Sequence, residues 1–176
     1  YYKHLPLVPI LLGGDSLQAT LEIMKALPPA SKGREELGPF QLDMLVPAGN
    51  IIVPATPITQ GTTFAAYKLR SDSNALLTVF TKETVEKQVQ YKPLDSVGIE
   101  WLTVGPLANY SPKFDFLIRR IQRTEGCIFV YSRFVNSGAI SIGLALEANG
   151  YTLYGRTQGL LGKKKEVVDA NGGRQC

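Results

Sequence analysis

The sequence predicts an α/β fold with a parallel sheet, and the evidence lies in the second half of the chain. Residues 112–155 alternate between helical and strand patterns, in the order helix, strand, helix, strand, with short connections. The run "CIFVY" at 127–131 is continuously apolar, as in strands buried on both faces of a parallel sheet. Two strands joined by a helix make a right-handed crossover unit, from which such sheets are built.

The helix that opens this half is marked at its start and along one face. Ser111 is an N-cap residue, and Pro112 fits the first helical position, where its missing N–H costs nothing. Gly126 is the predicted C-cap of the helix. Four apolar side chains at helical spacing predict one buried stripe: Phe114, Leu117, Ile118 and Ile121.

The second helix of this half is predicted from "GAISIGLALEANG", with Asn136 or Ser137 as its cap. Gly150 is predicted to end it, and "YTLYG" at 151–155 is predicted to be the second strand. An i, i+4, i+8 row predicts the buried face of the helix: Ile140, Leu144 and Ala148.

The first half gives weaker patterns. Residues 15–27 predict a helix, capped by Asp15 or Ser16, whose apolar face comprises Leu17, Leu21 and Met24. Prolines and glycines punctuate residues 28–63 and predict a loop with one short strand at "NIIV". In residues 64–110, "ALLTVF" resembles a strand, whereas "TKETVEKQVQY" fits either a helix or an edge strand.

Composition indicates an ordinary globular domain. Of the 176 residues, 44% are hydrophobic and 19% are charged, and no apolar run is long enough to predict a membrane span. The net charge of +4 is compatible with a polyanionic partner. Two cysteines, Cys127 and Cys176, do not form a disulfide framework, so we expect an intracellular setting. A start at Tyr1 and an end after "NGGRQ" suggest a piece of a longer chain.

Several kinds of catalytic site have no motif in this sequence. It has no GxxxxGK[ST] phosphate loop, no GxGxxG after a predicted strand and no GxSxG, and "GLLGKKK" is predicted to be a basic surface loop. A hydrolytic triad is not supported, because His4 is the one histidine of the sequence and a lone histidine is more often incidental than catalytic. A paired-carboxylate site stays open, although no spacing selects among the acidic residues Glu100, Asp115 and Glu147.

The junction after "CIFVY" is the candidate binding site. Ser132, Arg133 and Ser137 lie where a strand would meet a helix N-terminus, and exposed N–H groups there favour a phosphate without base specificity. The alternative is a capping serine with solvated charges. Further basic residues would lie on the same edge of the sheet: Arg156, Lys163, Lys164 and Lys165.

Residues 110–156 resemble the start of the second RecA-like lobe of superfamily 2 helicases. The likeness lies in "SPKF", "YSRF" and "LEANGY". It is strongest to helicase-like ATPases of large nucleocytoplasmic DNA viruses, relatives of poxvirus early-transcription and nucleoside-triphosphatase subunits. On this resemblance, residues 1–95 are a loop-rich segment between two lobes, and residues 96–176 are the truncated first part of the C-terminal lobe.

The resemblance also implies an activity. Such enzymes use ATP and Mg²⁺ to move along or remodel DNA or RNA, in viral transcription or DNA handling, so contact with transcription machinery is expected. Ser132 and Arg133 would be motif IV, facing the nucleic-acid backbone or the cleft between lobes. Cys176 would be a Zn²⁺ ligand if a second cysteine followed, and an ordinary cysteine otherwise.

The ATP-site motifs of the family are not in this sequence, so the piece alone is predicted to be inactive as an ATPase. The expected setting is a virion, or the cytoplasm or nucleus of a host cell. The alternatives are a non-catalytic nucleic-acid-binding module and a scaffold or interaction domain.

Overall fold

A computed structural model describes residues 8–27, 39–61, 63–155 and 158–162. In this part of the chain, α-helices surround one antiparallel hairpin. The helices are α1 (Gly14–Ala26), α2 (Pro39–Asn50), α3 (Phe64–Ser71), α4 (Leu107–Tyr110), α5 (Pro112–Gln122) and α6 (Ser141–Ala148), and the strands are β1 (Phe80–Val85) and β2 (Gln88–Pro93). Short 3₁₀ turns lie at Ala75–Thr78 and Glu100–Leu102, and a π-helical turn at Val135–Ile140 leads into α6.

The main core lies between the hairpin and helices α4, α5 and α6. Aromatic rings join its parts: the ring centroids of Phe80 and Tyr91 are 6.3 Å apart, and those of Trp101 and Tyr110 are 5.5 Å apart, in both cases edge to face. The fully buried side chains of this cluster include Val79, Phe80, Leu102, Leu107, Ile118 and Leu144. This core holds the C-terminal helices in place and so positions the candidate site.

Helix α5 confirms its predicted start and face. The Ser111 hydroxyl accepts a hydrogen bond from the Phe114 N–H at 3.1 Å, and Pro112 takes the first helical position. Phe114 and Ile118 are buried, while Leu117 and Ile121 are half-buried. The predicted C-cap was wrong, because the helix ends at Gln122 with Arg123 as its cap. Gly126 lies further on, with a positive φ of 89°.

Helix α6 confirms its predicted end but not its predicted cap. The Tyr151 N–H donates to the Leu146 carbonyl at 3.1 Å, and the Gly150 N–H donates to the Glu147 carbonyl at 3.2 Å. With Gly150 at a φ of 92°, these bonds form a Schellman motif. No side chain caps the preceding π-helical turn, which Phe134 precedes in extended conformation. The predicted caps Asn136 and Ser137 instead lie inside that turn.

Helix α1 forms as predicted but presents a different face to the core. Gly13 is its N-cap, and the apolar residues predicted to face the core, Leu17, Leu21 and Met24, are exposed. Small side chains are buried instead, since Ser16 and Ala19 let the helix approach its neighbours closely, and Ile23 completes the face. The Ser16 hydroxyl donates to the Ala48 carbonyl at 3.2 Å, which ties α1 to α2.

The proline-rich stretch contains a helix where a loop was predicted. Helix α2 starts at Pro39 and accommodates Pro47 in its last turn. The predicted strand at "NIIV" does not form, because its backbone bonds run to helices: the Ile52 N–H donates to the Tyr110 carbonyl and the Val53 N–H to the Arg70 carbonyl, both at 2.9 Å.

The hairpin resolves the ambiguity of residues 81–91 in favour of the edge-strand alternative. Its register pairs Phe80 with Pro93 and Val85 with Gln88. Glu86 and Lys87 form the turn with φ values of 50° and 64°, the left-handed pair that a tight two-residue hairpin loop requires. The segment "ALLTVF" is a strand only at Phe80, because Ala75–Thr78 is a 3₁₀ turn.

The predicted parallel sheet is the main correction to the sequence analysis. In the described residues the sheet has two antiparallel strands, and neither 127–131 nor 151–155 is a strand. A parallel strand needs a neighbour from a distant part of the chain. Here the strand-forming residues β1 and β2 pair with each other. The fold class is therefore mixed α/β and mostly helical.

Candidate nucleic-acid interface

The candidate residues at the junction lie between an exposed stretch and a buried turn. The Ser132 hydroxyl accepts a hydrogen bond from the Phe134 N–H at 3.2 Å and donates to the Phe134 carbonyl at 3.0 Å. A Cβ added to Gly138 would lie 1.9 Å from this hydroxyl oxygen, so the Ser132 side chain packs against Gly138 at a distance that leaves no room for a larger residue there. Ser132 and Arg133 are therefore held at the entrance to the π-helical turn, whereas Ser137 is buried inside it.

Arg133 presents the accessible charge of this junction. Its side chain is 74% exposed, and its guanidinium lies 3.3 Å from the carboxylate of Asp43, which is itself exposed on α2. The guanidinium also lies 5.7 Å from the centroid of the Phe134 ring. An ion pair of this length between exposed side chains contributes little to stability, so Arg133 can exchange Asp43 for another anion at small cost.

The segment before the junction is exposed in an alternating pattern. Phe129 and Tyr131 are 89% and 79% exposed, whereas Ile128 and Val130 are 40% and 41% exposed. A period of two is that of an extended chain, with one row of side chains leaning outward and the other toward the molecule. We call residues 126–133 the exposed segment. Its outward row ends at Arg133.

The remaining predicted site residues lie outside the described part of the chain. This holds for Arg156, Lys163, Lys164, Lys165 and Cys176. His4 lies outside it as well.

Further arginines, which were not predicted as site residues, lie along α5 and at its C-terminal end. Arg119 and Arg120 are exposed on this helix, and Arg123 is exposed as its C-cap. The Arg119 Nε donates to the Asp115 carboxylate at 2.7 Å, and this hydrogen bond, with the attraction of the carboxylate, raises the pKa of Arg119. The spacing of these arginines, three and four residues apart beside an apolar stripe, is the sequence signal that could have predicted this basic face.

The three carboxylates left open by the sequence serve as structural acceptors. Asp115 accepts the Gly105 N–H at 2.8 Å as well as Arg119. Glu147 accepts the N–H groups of Leu160 and Leu161 at 2.7 and 2.9 Å, and Glu100 accepts the Ile99 N–H at 2.9 Å. Each of these carboxylates thus accepts hydrogen bonds from its own neighbourhood.

The described part of the chain has neither a metal-binding cluster nor a membrane-spanning helix. Within residues 8–27, 39–61, 63–155 and 158–162, no three His, Cys, Asp or Glu side chains form a group able to hold a metal ion. Cys127 is exposed and unpaired with another cysteine. No helix of these residues has both the length and the apolar character needed to cross a bilayer.

Comparison with known proteins gives one partial match to a curated viral protein. The chain is 39% identical over 56 residues to "Putative ATP-dependent RNA helicase R563" of Acanthamoeba polyphaga mimivirus. The match covers 32% of this chain and 10% of that relative, so the chain matches only a small part of the relative's length. No family model matches, and no solved structure matches. The chain thus has a distant, partial resemblance to a viral protein named as a helicase.

Proposed function

We propose that this chain is part of an ATP-dependent nucleic-acid helicase or translocase, to which it contributes contacts with the phosphate backbone of DNA or RNA. The observation that carries the proposal is the 39% identity over 56 residues to a protein named as an RNA helicase. The likeness of residues 110–156 to a helicase lobe supports the same assignment.

Arg133 has the chemistry that backbone binding requires. A guanidinium presents several donors in a planar fork and binds phosphate in bidentate fashion, with charge-assisted hydrogen bonds. Its present partner, the Asp43 carboxylate, makes a single 3.3 Å contact that solvent screens. A nucleic-acid phosphate would therefore replace Asp43 at Arg133. Such contacts carry no sequence information, as a moving grip on a strand requires.

ATP and Mg²⁺ are the cofactors that the proposal assigns to the parent protein. The sequence has no phosphate loop, so we assign no step of ATP hydrolysis to these residues. In the parent protein, closure of two lobes on ATP would shift the grip on the strand, as substrate-driven domain closure does in other enzymes. Zn²⁺ binding at Cys176, phosphate contacts at Arg156, Lys163 and Lys164, action in viral transcription and an intracellular setting belong to the same proposal.

Salt-dependent binding tests the backbone contact. The affinity of the protein for a labelled single-stranded oligonucleotide is measured by fluorescence anisotropy at several salt concentrations, for the wild type and for Arg133→Ala. Loss of one phosphate contact should lower the slope of log K against log salt by about 0.7. Affinity at low salt should fall several-fold.

Arg119→Ala is the matched control for net charge, because Arg119 is also an exposed arginine but is paired with Asp115. We expect its effect to be clearly smaller. Equal losses in both variants, or no loss in either, would contradict the assignment of Arg133 to the backbone.

The enzymatic part of the proposal is tested with the parent protein. Nucleic acid should stimulate its ATP turnover. Salt-sensitive binding without turnover would instead indicate a non-catalytic nucleic-acid-binding module. Salt-insensitive protein binding without nucleic-acid binding would indicate a scaffold.

A further inference from the structure

The exposed segment has backbone groups without a hydrogen-bonding partner among the described residues, as well as exposed apolar side chains. From Gly126 to Tyr131 the backbone makes no hydrogen bond with any described residue, and Gly126–Ser132 carries no charged side chain. A row of free N–H and C=O groups beside apolar side chains is a template on which another strand can pair. The structure therefore offers an edge for strand addition, and the question is which strand fits it.

The sequence around the exposed segment is complementary to itself when two copies run antiparallel. With Phe129 of one copy opposite Phe129 of the other, Ile128 lies opposite Val130, and Cys127 lies opposite Tyr131. In the same register, Glu125 lies opposite Arg133. By symmetry each pair occurs twice, so the apolar residues meet at the centre and two pairs of opposite charges flank them.

Neighbouring registers lose this complementarity. Centring the pair on Ile128 places Arg133 opposite Arg123 of the other copy, and like charges directly opposite destabilise a pair of strands. Centring it on Val130 places Arg133 opposite Cys127 and leaves Glu125 opposite Val135. A register in which Phe129 faces Ile128 or Val130 of the other copy places the outward row of one copy opposite the inward row of the other. The register centred on Phe129 is therefore selected by charge and by exposure together.

We propose that residues 125–133 pair with the same residues of a second copy of this chain, as two antiparallel strands related by a two-fold axis at Phe129. Such an interface is isologous, so each contact within it is made twice. The outward row of both copies, from Glu125 to Arg133, would form one face of the paired strands. Arg133 would exchange its exposed Asp43 partner for Glu125 of the second copy.

Symmetric cross-linking tests the register. In a Cys127→Ser/Phe129→Cys/Cys176→Ser variant, the single thiol at position 129 lies opposite the same thiol of the second copy. The Cα atoms of such facing residues are about 4.5 to 5.5 Å apart. That distance permits a disulfide, so oxidised glutathione should convert the dimer to a cross-linked form on a non-reducing gel. Cys176→Ser alone is the matched control. Its Cys127 lies four residues out of register from the Cys127 of the second copy, about 13 Å along the strand, and should stay unlinked.

A charge exchange tests the pairing independently of any cysteine. Sedimentation velocity over a range of protein concentrations should show the wild type in a monomer–dimer equilibrium. Glu125→Arg and Arg133→Glu should each raise the dissociation constant about tenfold or more, because each places two pairs of like charges opposite one another. The double variant Glu125→Arg/Arg133→Glu should restore the dimer. Circular dichroism checks that all variants keep the helical fold.

The outcomes separate this proposal from the function proposed above. Restored dimerisation in the double variant, while its oligonucleotide binding stays weak, would support both. A wild type that stays monomeric at all concentrations, a double variant that stays monomeric, or larger aggregates insensitive to the exchange would overturn the dimer. The proposal would also be overturned if the amides of Phe129 and Tyr131 became protected from hydrogen exchange only on addition of an oligonucleotide. That result would indicate base stacking instead. Because Arg133 takes part in both proposals, the Arg133→Ala binding test is carried out below the dissociation constant of the dimer, where loss of oligonucleotide affinity reports on the phosphate contact alone.

Discussion

Helix α5 and the exposed segment lie within a few residues of each other, and both are rich in apolar side chains, yet only one is buried. In α5, Phe114 and Ile118 are almost fully removed from solvent, whereas Phe129 and Tyr131 are almost fully exposed. The helix satisfies its backbone internally and needs only one packed face. An extended segment satisfies its backbone hydrogen bonds only through a neighbouring strand. The apolar side chains of the exposed segment therefore stay in solvent until such a strand pairs with it.

The two regions also differ in how their ends are fixed. Ser111 caps α5 and is wholly buried, and its hydroxyl donates to the Asn50 carbonyl at the end of α2. Among the described residues, the Ser132 hydroxyl bonds only to the backbone of Phe134, two residues away. A single serine thus connects two elements in the first case and shapes one local turn in the second. Contacts between elements that are distant in sequence therefore stabilise the described part of the chain.

The largest expected effect comes from removing a core side chain of α5. Ile118→Ala deletes a fully buried side chain and leaves a cavity in the main core, which should lower the free energy of unfolding by about 2 to 5 kcal/mol. Urea denaturation followed by circular dichroism measures this change. Phe129→Ala, which removes a larger side chain from the exposed segment, should change the free energy of unfolding of the monomer by less than about 0.5 kcal/mol.

Phe116→Ala is the control within the helix itself, because Phe116 lies on the outer face of α5 and is partly exposed. Its effect should be much smaller than that of Ile118→Ala. If Phe129→Ala destabilised the monomer as much as Ile118→Ala, the contrast between the two regions would be wrong.

A smaller effect is expected at the two serines. Ser111→Ala removes the N-cap of α5 and a buried hydrogen bond to α2, so it should cost about 0.5 to 2 kcal/mol in unfolding free energy. Ser132→Ala removes only the local bonds to Phe134 and should cost less. Thermal unfolding of the two variants beside the wild type provides the comparison. An equal or larger loss at Ser132 would show that the junction contributes to the stability of the core.

The same contrast explains how much the sequence predicted. Ser111 with Pro112, and Gly150 after its apolar row, marked the start of α5 and the end of α6, because caps act within one turn of their helix. The parallel sheet was wrong, because an apolar run shows that a strand could be buried and does not show which residues would pair with it. Helix α2 was missed because prolines favour a loop locally, whereas contacts such as that of Ser16 with the Ala48 carbonyl hold the helix in place.

The sequence predicted only part of the candidate site, again because local patterns do not show contacts between distant residues. Arg133 could be selected from the sequence as an accessible cation at a junction. Its contact with Asp43 joins residues 90 positions apart, and no local pattern indicates such a pair. The burial of Ser137 follows from the π-helical turn, which replaces the helix start that the sequence predicted.

Hydrogen exchange of individual backbone amides tests the central contrast most directly. At low protein concentration, the amides of residues 116–122 should exchange slowly, with opening free energies approaching that of global unfolding. The amides of residues 127–131 should exchange near the rate of an unstructured chain, and should become protected as concentration rises and the proposed dimer forms. Strong protection of 127–131 at the lowest concentration would contradict the account, because that segment would already have its hydrogen-bonding partner within the single chain.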